Sequence, residues 1–217
     1  MNYQEMQSDV LNRVDDIDNE ELADMVNTWL NQVYLDICSR YNWKFLEKTD
    51  TATITSTTTS LNLDVELTDL NKVYDVVIED SDGVKTRLMF LPEDIFQQMY
   101  SKSKQDTTGT PKYYRIWGNT MYFYNLPDEN FTVTMKYTFY TSRMVGPGDT
   151  PIFPETFHEI IVLGAAAKAR QYNDDFEEAD MIQKEYETKL TLMMAKLKKQ
   201  ITDPPRFRTS VNRQLTK

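Results

Sequence analysis

The spacing of apolar residues changes twice along this chain of 217 residues, and that double switch limits the fold more than any motif does. From Glu20 to Tyr41, Leu22, Met25, Val26, Trp29, Leu30, Val33, Ile37 and Cys38 recur every three or four positions, which predicts a helix. Asp18 or Asn19 is placed to cap its start. Met6, Val10, Leu11 and Val14 carry the same spacing in a shorter helix before it. Past Trp43 the period drops to two, in the Thr-rich stretches TATITS and SLNLD, and a β-region begins. The helical period returns after Glu155 and runs through Phe157, Ile160, Ile161, Leu163 and a Gly164–Ala167 run of small residues that lets helices approach closely. A last amphipathic stretch carries Phe176, Ala179, Ile182, Tyr186, Leu190, Met193, Met194 and Leu197 before Pro204 and Pro205 end it; at about 1.5 Å per residue it can reach about 40 Å.

Between the helices, five or six strands are expected. NKVYDVVIED and VKTRLMFL read as a hairpin around Asp80–Gly83, because Asp-Gly tolerates the positive φ a tight turn demands. The segment PEDIFQQMY reads as a short helix opened by Pro92, and 101–110 as an exposed loop. YYRIW and TMYFYNL form a second hairpin about Gly118–Asn119, and FTVTMKYTFY a further strand. SRMVGPGDTPIFP continues neither kind of element and is a connector. Helices segregated from antiparallel strands make this an α+β chain: a helical core from N- and C-terminal helices, an inserted antiparallel β-rich block and an extended tail. The expected parts are residues 1–48 and 142–200 for the helical core, 49–141 for the β-block and 201–217 for the basic tail.

Charge divides the chain further. The formal net charge is −10, yet residues 196–217 hold seven Lys or Arg against one Asp, which leaves −16 for residues 1–195. An acidic body repels nucleic acid unless its bases cluster, although a pore lined with acids lets a polyanion slide without sticking. No stretch approaches the roughly 20 apolar residues that span a bilayer, and the polar start MNYQEMQSDV lacks the features of a signal peptide, so a cytosolic chain with no membrane contact is expected. The single cysteine, Cys38, forms no internal disulfide and reads as a small core residue.

Signs of chemistry are sparse, and the chain reads as a non-enzyme with no cofactor. His158 is the only histidine; Glu159 follows it, but no second histidine completes H-E-x-x-H, and a surface or helix-end role is expected. A Ser-His-Asp or Cys-His arrangement would need this same residue, and no G-x-S-x-G or phosphate loop accompanies it. Carboxylates could hold Mg²⁺ without histidine, through Asp15, Asp16 and Asp18, through Asp80 and Asp82, or through Asp174, Asp175, Glu177 and Glu178. Each group falls at a turn or helix start, where acids serve backbone geometry and the helix dipole, so metal ligation is not expected. Asn130-Phe131-Thr132 matches a glycosylation acceptor by chance. The aromatics Tyr113, Tyr114, Trp117, Tyr122, Phe123 and Tyr124 have only Lys112 and Arg115 among them, and read as a packed sheet face rather than a base-stacking platform.

The order of several local patterns resembles the head-tail adaptor, connector or head-completion proteins of tailed bacteriophages. An amphipathic helix runs into Tyr41-Asn42-Trp43-Lys44-Phe45-Leu46, then a Thr-rich strand and the V-Y-D-V-V strand. Gly109-Thr110-Pro111-Lys112-Tyr113-Tyr114 follows, with Ile116-Trp117-Gly118-Asn119 and Tyr124-Asn125-Leu126-Pro127-Asp128 after it. KYTFYT leads to Asp149-Thr150-Pro151-Ile152-Phe153-Pro154-Glu155 and then to the Gly164-Ala165-Ala166-Ala167 helix. The likeness covers most of residues 20–190. It implies a structural virion protein of the head–tail junction: a homo-oligomeric ring, usually of twelve copies, docked on the portal protein, joined to a tail or further adaptor protein, with a central channel for DNA. Within the tail, Pro204, Pro205, Arg206, Phe207, Arg208 and Arg213 are the candidate partner-binding residues, with charge-assisted bonds and one aromatic anchor for an acidic portal surface. The competing readings are a metal-dependent phage enzyme built on the acid groups and a nucleic-acid-binding module built on the tail.

Overall fold

The fold is that of a computed structural model, which describes residues 1–15, 20–56, 60–102 and 108–197. In chain order the elements are α1 (Tyr3–Val14), α2 (Glu20–Arg40), β1 (Glu47–Ile54), β2 (Ser60–Asn62), α3 (Leu63–Glu66), β3 (Leu70–Glu79), β4 (Lys85–Arg87) and β5 (Met89–Phe90). Then come α4 (Glu93–Lys102), β6 (Tyr113–Trp117), β7 (Thr120–Tyr124), β8 (Phe131–Phe139), α5 (Glu159–Tyr172) and α6 (Phe176–Leu197). The architecture is α+β, as its residue patterns require.

Helices α1, α2, α5 and α6 share one hydrophobic core. α5 is its axis: Ile160 to Ala167 and Ala169 are all buried, which follows from a sequence that is apolar all round for two turns. A Cβ on Gly164 would lie 2.7 Å from Val33 Cγ1 on α2 and 3.1 Å from Tyr186 Cε2 on α6. Glycine is therefore what allows three helices to meet at this level. α1 starts in a capping box: the Asn2 side chain accepts from the Glu5 N–H at 2.8 Å, and Glu5 accepts from the Asn2 N–H at 2.9 Å. Below α2, fully buried Trp43 donates its Nε1–H to the Ile37 carbonyl at 2.7 Å and stacks on Phe45, which turns the chain out of the helix and into β1. Cys38 is buried in this core, and burial pushes its thiol up to about 12.

The β-block departs from the expected five or six strands: the described residues hold eight, in two four-stranded sheets ordered β1-β8-β3-β4 and β2-β7-β6-β5. Their facing sides form a second core, with Ile54, Val76, Ile78, Phe131, Val133 and Met135 from the first sheet against Tyr114, Met121 and Phe123 from the second. The first expected hairpin exists only in part. Lys85–Arg87 pairs with Val77–Glu79, but the chain then changes sheets at buried Leu88, and Met89–Phe90 pairs in parallel with β6. SLNLD is likewise split: after Asn62 the chain enters the single turn of α3, because the Asn62 side chain caps the Asp64 N–H at 3.0 Å. β8 lies between β1 and β3, and its register with β1 runs from Glu47↔Thr138 to Ile54↔Phe131. The β-block's entry and exit strands are thus neighbours.

The connector is tied down along its length. Asn31 of α2 donates to the Met144 carbonyl at 3.0 Å and accepts from the Met144 N–H at 2.8 Å, so one amide side chain replaces a strand partner. The Tyr3 N–H donates to the Asp149 carbonyl at 2.8 Å. Backbone N–H groups of Val145 and Gly146 donate to the Asp149 carboxylate and hold it below its ordinary range.

Candidate interaction surfaces

The helical body has two unlike ends. α2 and α6 both run antiparallel to α5: Val33 and Tyr186 lie at Gly164, Lys168 reaches Gln32 at 2.8 Å, and the rings of Trp29 and Tyr172 are 5.9 Å apart. One end therefore gathers the close of α1, the starts of α2 and α6 and the close of α5. Acids collect there because both helix starts favour negative charge, with Glu20 and Glu21 in the first turn of α2 and Glu177 and Glu178 in that of α6.

Two of the three candidate acid groups meet at this end, and they meet around a base. Arg170 donates to the Arg13 carbonyl at 2.6 Å, and its guanidinium lies 3.6 Å from Asp15, 3.3 Å from Asp175 and 3.0 Å from Glu178. This arginine fastens the close of α1 to the α5–α6 turn, where Asp15 and Asp174 take left-handed φ angles of 57° and 58°. Glu177 is exposed, and Asp16 and Asp18 lie outside the described residues. The third group is consumed by its turn: Asp80 Oδ1 accepts from the N–H groups of Asp82 and Val84, at 3.0 and 2.8 Å. Among the described residues no three His, Cys, Asp or Glu side chains converge to hold a metal ion.

His158 is at a helix end, as expected, but it is buried rather than on the surface. Its Nε2 lies 2.8 Å from the Phe153 carbonyl and its Nδ1 3.0 Å from that of Met1. The connector folding back over the start of α5 covers it, a long-range contact invisible in the local sequence. Beside it, Glu159 accepts from Lys189 at 2.6 Å and from Arg13 at 3.2 Å, and these bonds hold its carboxyl below the usual range.

On the second sheet the aromatic set divides by strand alternation. Tyr114 and Phe123 point into the core, whereas the Arg115 guanidinium on the outer face is held between the rings of Phe96 (4.7 Å) and Tyr122 (4.3 Å) and pairs with Glu93. The one base within this hairpin is thereby engaged by α4. Trp117, Met89 and Phe90 remain exposed at the margins of the sheet, and Asn130 is a surface residue of the turn before β8. At the junction with the helical body, the Tyr137 hydroxyl donates to Asp50 at 2.6 Å, with Asp69 at 3.2 Å and Lys48 bridging the two carboxylates. Burial and these acids push the Tyr137 hydroxyl well above its ordinary pKa.

The candidate partner-binding residues Pro204, Pro205, Arg206, Phe207, Arg208 and Arg213 lie outside the described residues. Sequence reasoning passes over Asn31 and Arg170, and gives Arg115 no role beyond being a base among the aromatics. Each is polar at the margin of an apolar stripe, and only its partners, remote in sequence for Asn31 and Arg170, reveal its work. No described helix is long and apolar enough to cross a membrane.

No curated protein matches the chain. The family model described as SU10 adaptor protein matches residues 1–214, which takes in the helical body, the β-block and nearly all of the tail. With that span, the chain belongs to the SU10 adaptor protein family, structural adaptors of the phage head–tail connection.

Proposed function

We propose that the chain is one subunit of an adaptor ring, of twelve copies, that seats on the portal and carries the tail or a further adaptor, leaving a central channel for DNA. The observation that carries this reading is the family match over residues 1–214, because it attaches the adaptor role to the whole architecture rather than to one part. The work divides along the chain. Residues 1–48 and 142–200 form the body that packs in the ring, residues 49–141 present the tail-facing surface, and residues 201–217 dock on the portal. In that docking, Arg206, Arg208 and Arg213 supply charge-assisted bonds and Phe207 the anchor, with Pro204 and Pro205 setting the arm off from α6. An acidic body favours free passage of DNA, since like charge prevents adhesion to the wall. The site of action is the head–tail junction of the virion, after assembly in the host bacterial cytoplasm.

Deleting residues 204–217 tests this. The truncated chain should keep its helical and strand content by circular dichroism and lose capture by immobilised portal, and electron microscopy of the full chain with portal should show a coaxial ring. Undiminished portal capture by the truncated chain would overturn the assignment of the arm, and a monomer that ignores the portal would overturn the ring.

A further inference from the structure

α2 and α6 both meet α5 at Gly164, and Lys168 and Tyr172, one and two turns further along α5, continue that face as the floor of a groove between the two helices. Its acidic end is aromatic. Trp29 and Tyr172 lie 5.9 Å apart, Tyr172 is 48 % exposed, and Phe176, the first residue of α6, is 60 % exposed. At about 100° per residue, Phe176, Asp180 and Glu187 fall on one flank of α6. That flank faces α2, since Arg40 of α2 meets Glu187 at 4.0 Å. Around the aromatic patch, at the starts of α2 and α6 and the turn before α6, Glu21, Asp174, Glu177 and Asp180 have no ion-pair partner among the described residues. Exposed rings rimmed by unneutralised acids are what a basic segment with an aromatic anchor needs.

This chain carries such a segment. Residues 196–217 hold seven Lys or Arg against one Asp, with Phe207 between Arg206 and Arg208. The tail leaves from the opposite end of the body, where Lys196 reaches over the Phe157 ring just before α5. α6 spans 22 residues, or about 33 Å. The ten residues from Leu197 to Phe207 cover at most about 33–36 Å when fully extended. Its own groove is therefore at the limit of the tail's reach. A second copy placed with its acidic end beside the tail exit needs no such stretch, and the charge separation along each molecule favours that order.

We propose that the aromatic, acid-rimmed groove between α2 and α6 is the docking site for the basic tail of a second copy of this chain, which it receives head to tail. The inference rests on the reading of the tail as a docking arm, and it adds a second acceptor for that arm. A contact of this heterologous kind repeats from copy to copy and closes into a ring when the rotation allows. The portal then takes over arms that are already held in order.

Sedimentation of the full chain at about 50 mM and about 300 mM salt tests this, since screening separates exposed charges at the higher strength. The wild-type chain should associate at low salt and dissociate at high salt. Asp180→Lys with Glu21→Lys, Phe176→Ser, and Arg206→Glu with Arg208→Glu should each weaken association at least about tenfold with unchanged circular dichroism. Mixing the groove-reversed copy with the tail-reversed copy should restore association, with the two copies present one to one. Association that is indifferent to all three variants, or a wild-type monomer at every concentration, overturns the proposal. So does an own-chain latch, seen as a compact monomer that swells on tail reversal. Portal capture, measured separately on the groove variants, should be retained; its loss only on tail deletion speaks to the arm, not to the groove.

Discussion

The helical body and the β-block are both closed cores, but they are closed by different parts of the chain. The β-block buries residues from Ala52 to Tyr137, one continuous stretch. The body joins Tyr3 to Leu46 with Met144 to Met193, and among the described residues nothing between contributes a fully buried residue to it. The block can thus complete its core while the body still lacks half of its own. Phe139, half-buried against both cores, is among the few side chains they share. The difference teaches where the fold is vulnerable: the body depends on two distant segments meeting around one small-residue helix, the block on neighbours.

The largest effect should separate the two cores. Trp43→Ala in the body and Phe131→Ala in the block each remove a fully buried ring, at a cost of about 3–5 kcal/mol. Cys38 reports chiefly on the body, in whose core it is buried with its thiolate suppressed, although Phe139 and Thr141 at the end of the β-block lie against it. In urea, Trp43→Ala should bring Cys38 labelling to much lower denaturant, whereas Phe131→Ala should lower the loss of strand signal and leave Cys38 protected. Equal shifts of both signals in both variants would make the molecule one cooperative unit. A smaller effect sharpens the comparison. Gly164→Ala places a methyl within 2.7 Å of Val33 and should cost about 1–3 kcal/mol by overpacking, read as an earlier Cys38 transition with the strand signal unmoved.

The smallest effect is electrostatic. Glu159, in the body, has its carboxyl held below the ordinary 4.5 first by the Lys189 bond and then by Arg13, with partial burial opposing. A depressed folded value contributes stability that is present above the unfolded value and lost as pH falls through the folded one. Thermal melts of the body should therefore weaken as pH drops below about 4.5, and Glu159→Gln should flatten that slope. A slope identical to wild type would remove Glu159 from the account.

Much of this contrast is legible in the sequence, because local period encodes local structure. The stripes of α2, α5 and α6 and the Gly118–Asn119 hairpin are set by residues within one or two turns of each other. The change of sheet at Leu88, the place of β8 between β1 and β3, and the burial of His158 are set by partners dozens of residues away, on which local spacing is silent. The acid groups show the same limit. Turn chemistry accounts for Asp80 and Asp82, but only the packing of α1 on α5 brings Asp15, Asp175 and Glu178 to a single arginine. Asn31 reads as an ordinary polar residue of a helix until Met144 is laid beside it.

The pairing of β1 with β8 from Glu47↔Thr138 to Ile54↔Phe131 has a mechanical consequence. Both strands leave the body at the same edge and run out side by side, so a pull between the body and the far margin of the β-block stretches two covalent chains in the same direction. Tension along that axis loads peptide bonds rather than the rungs between the strands. A sideways tear that parts Glu47 from Thr138 would instead open those rungs one at a time. Such a link is stiff to traction and weak to peeling, which suits a piece that must hold together while neighbouring parts pull on its opposite ends.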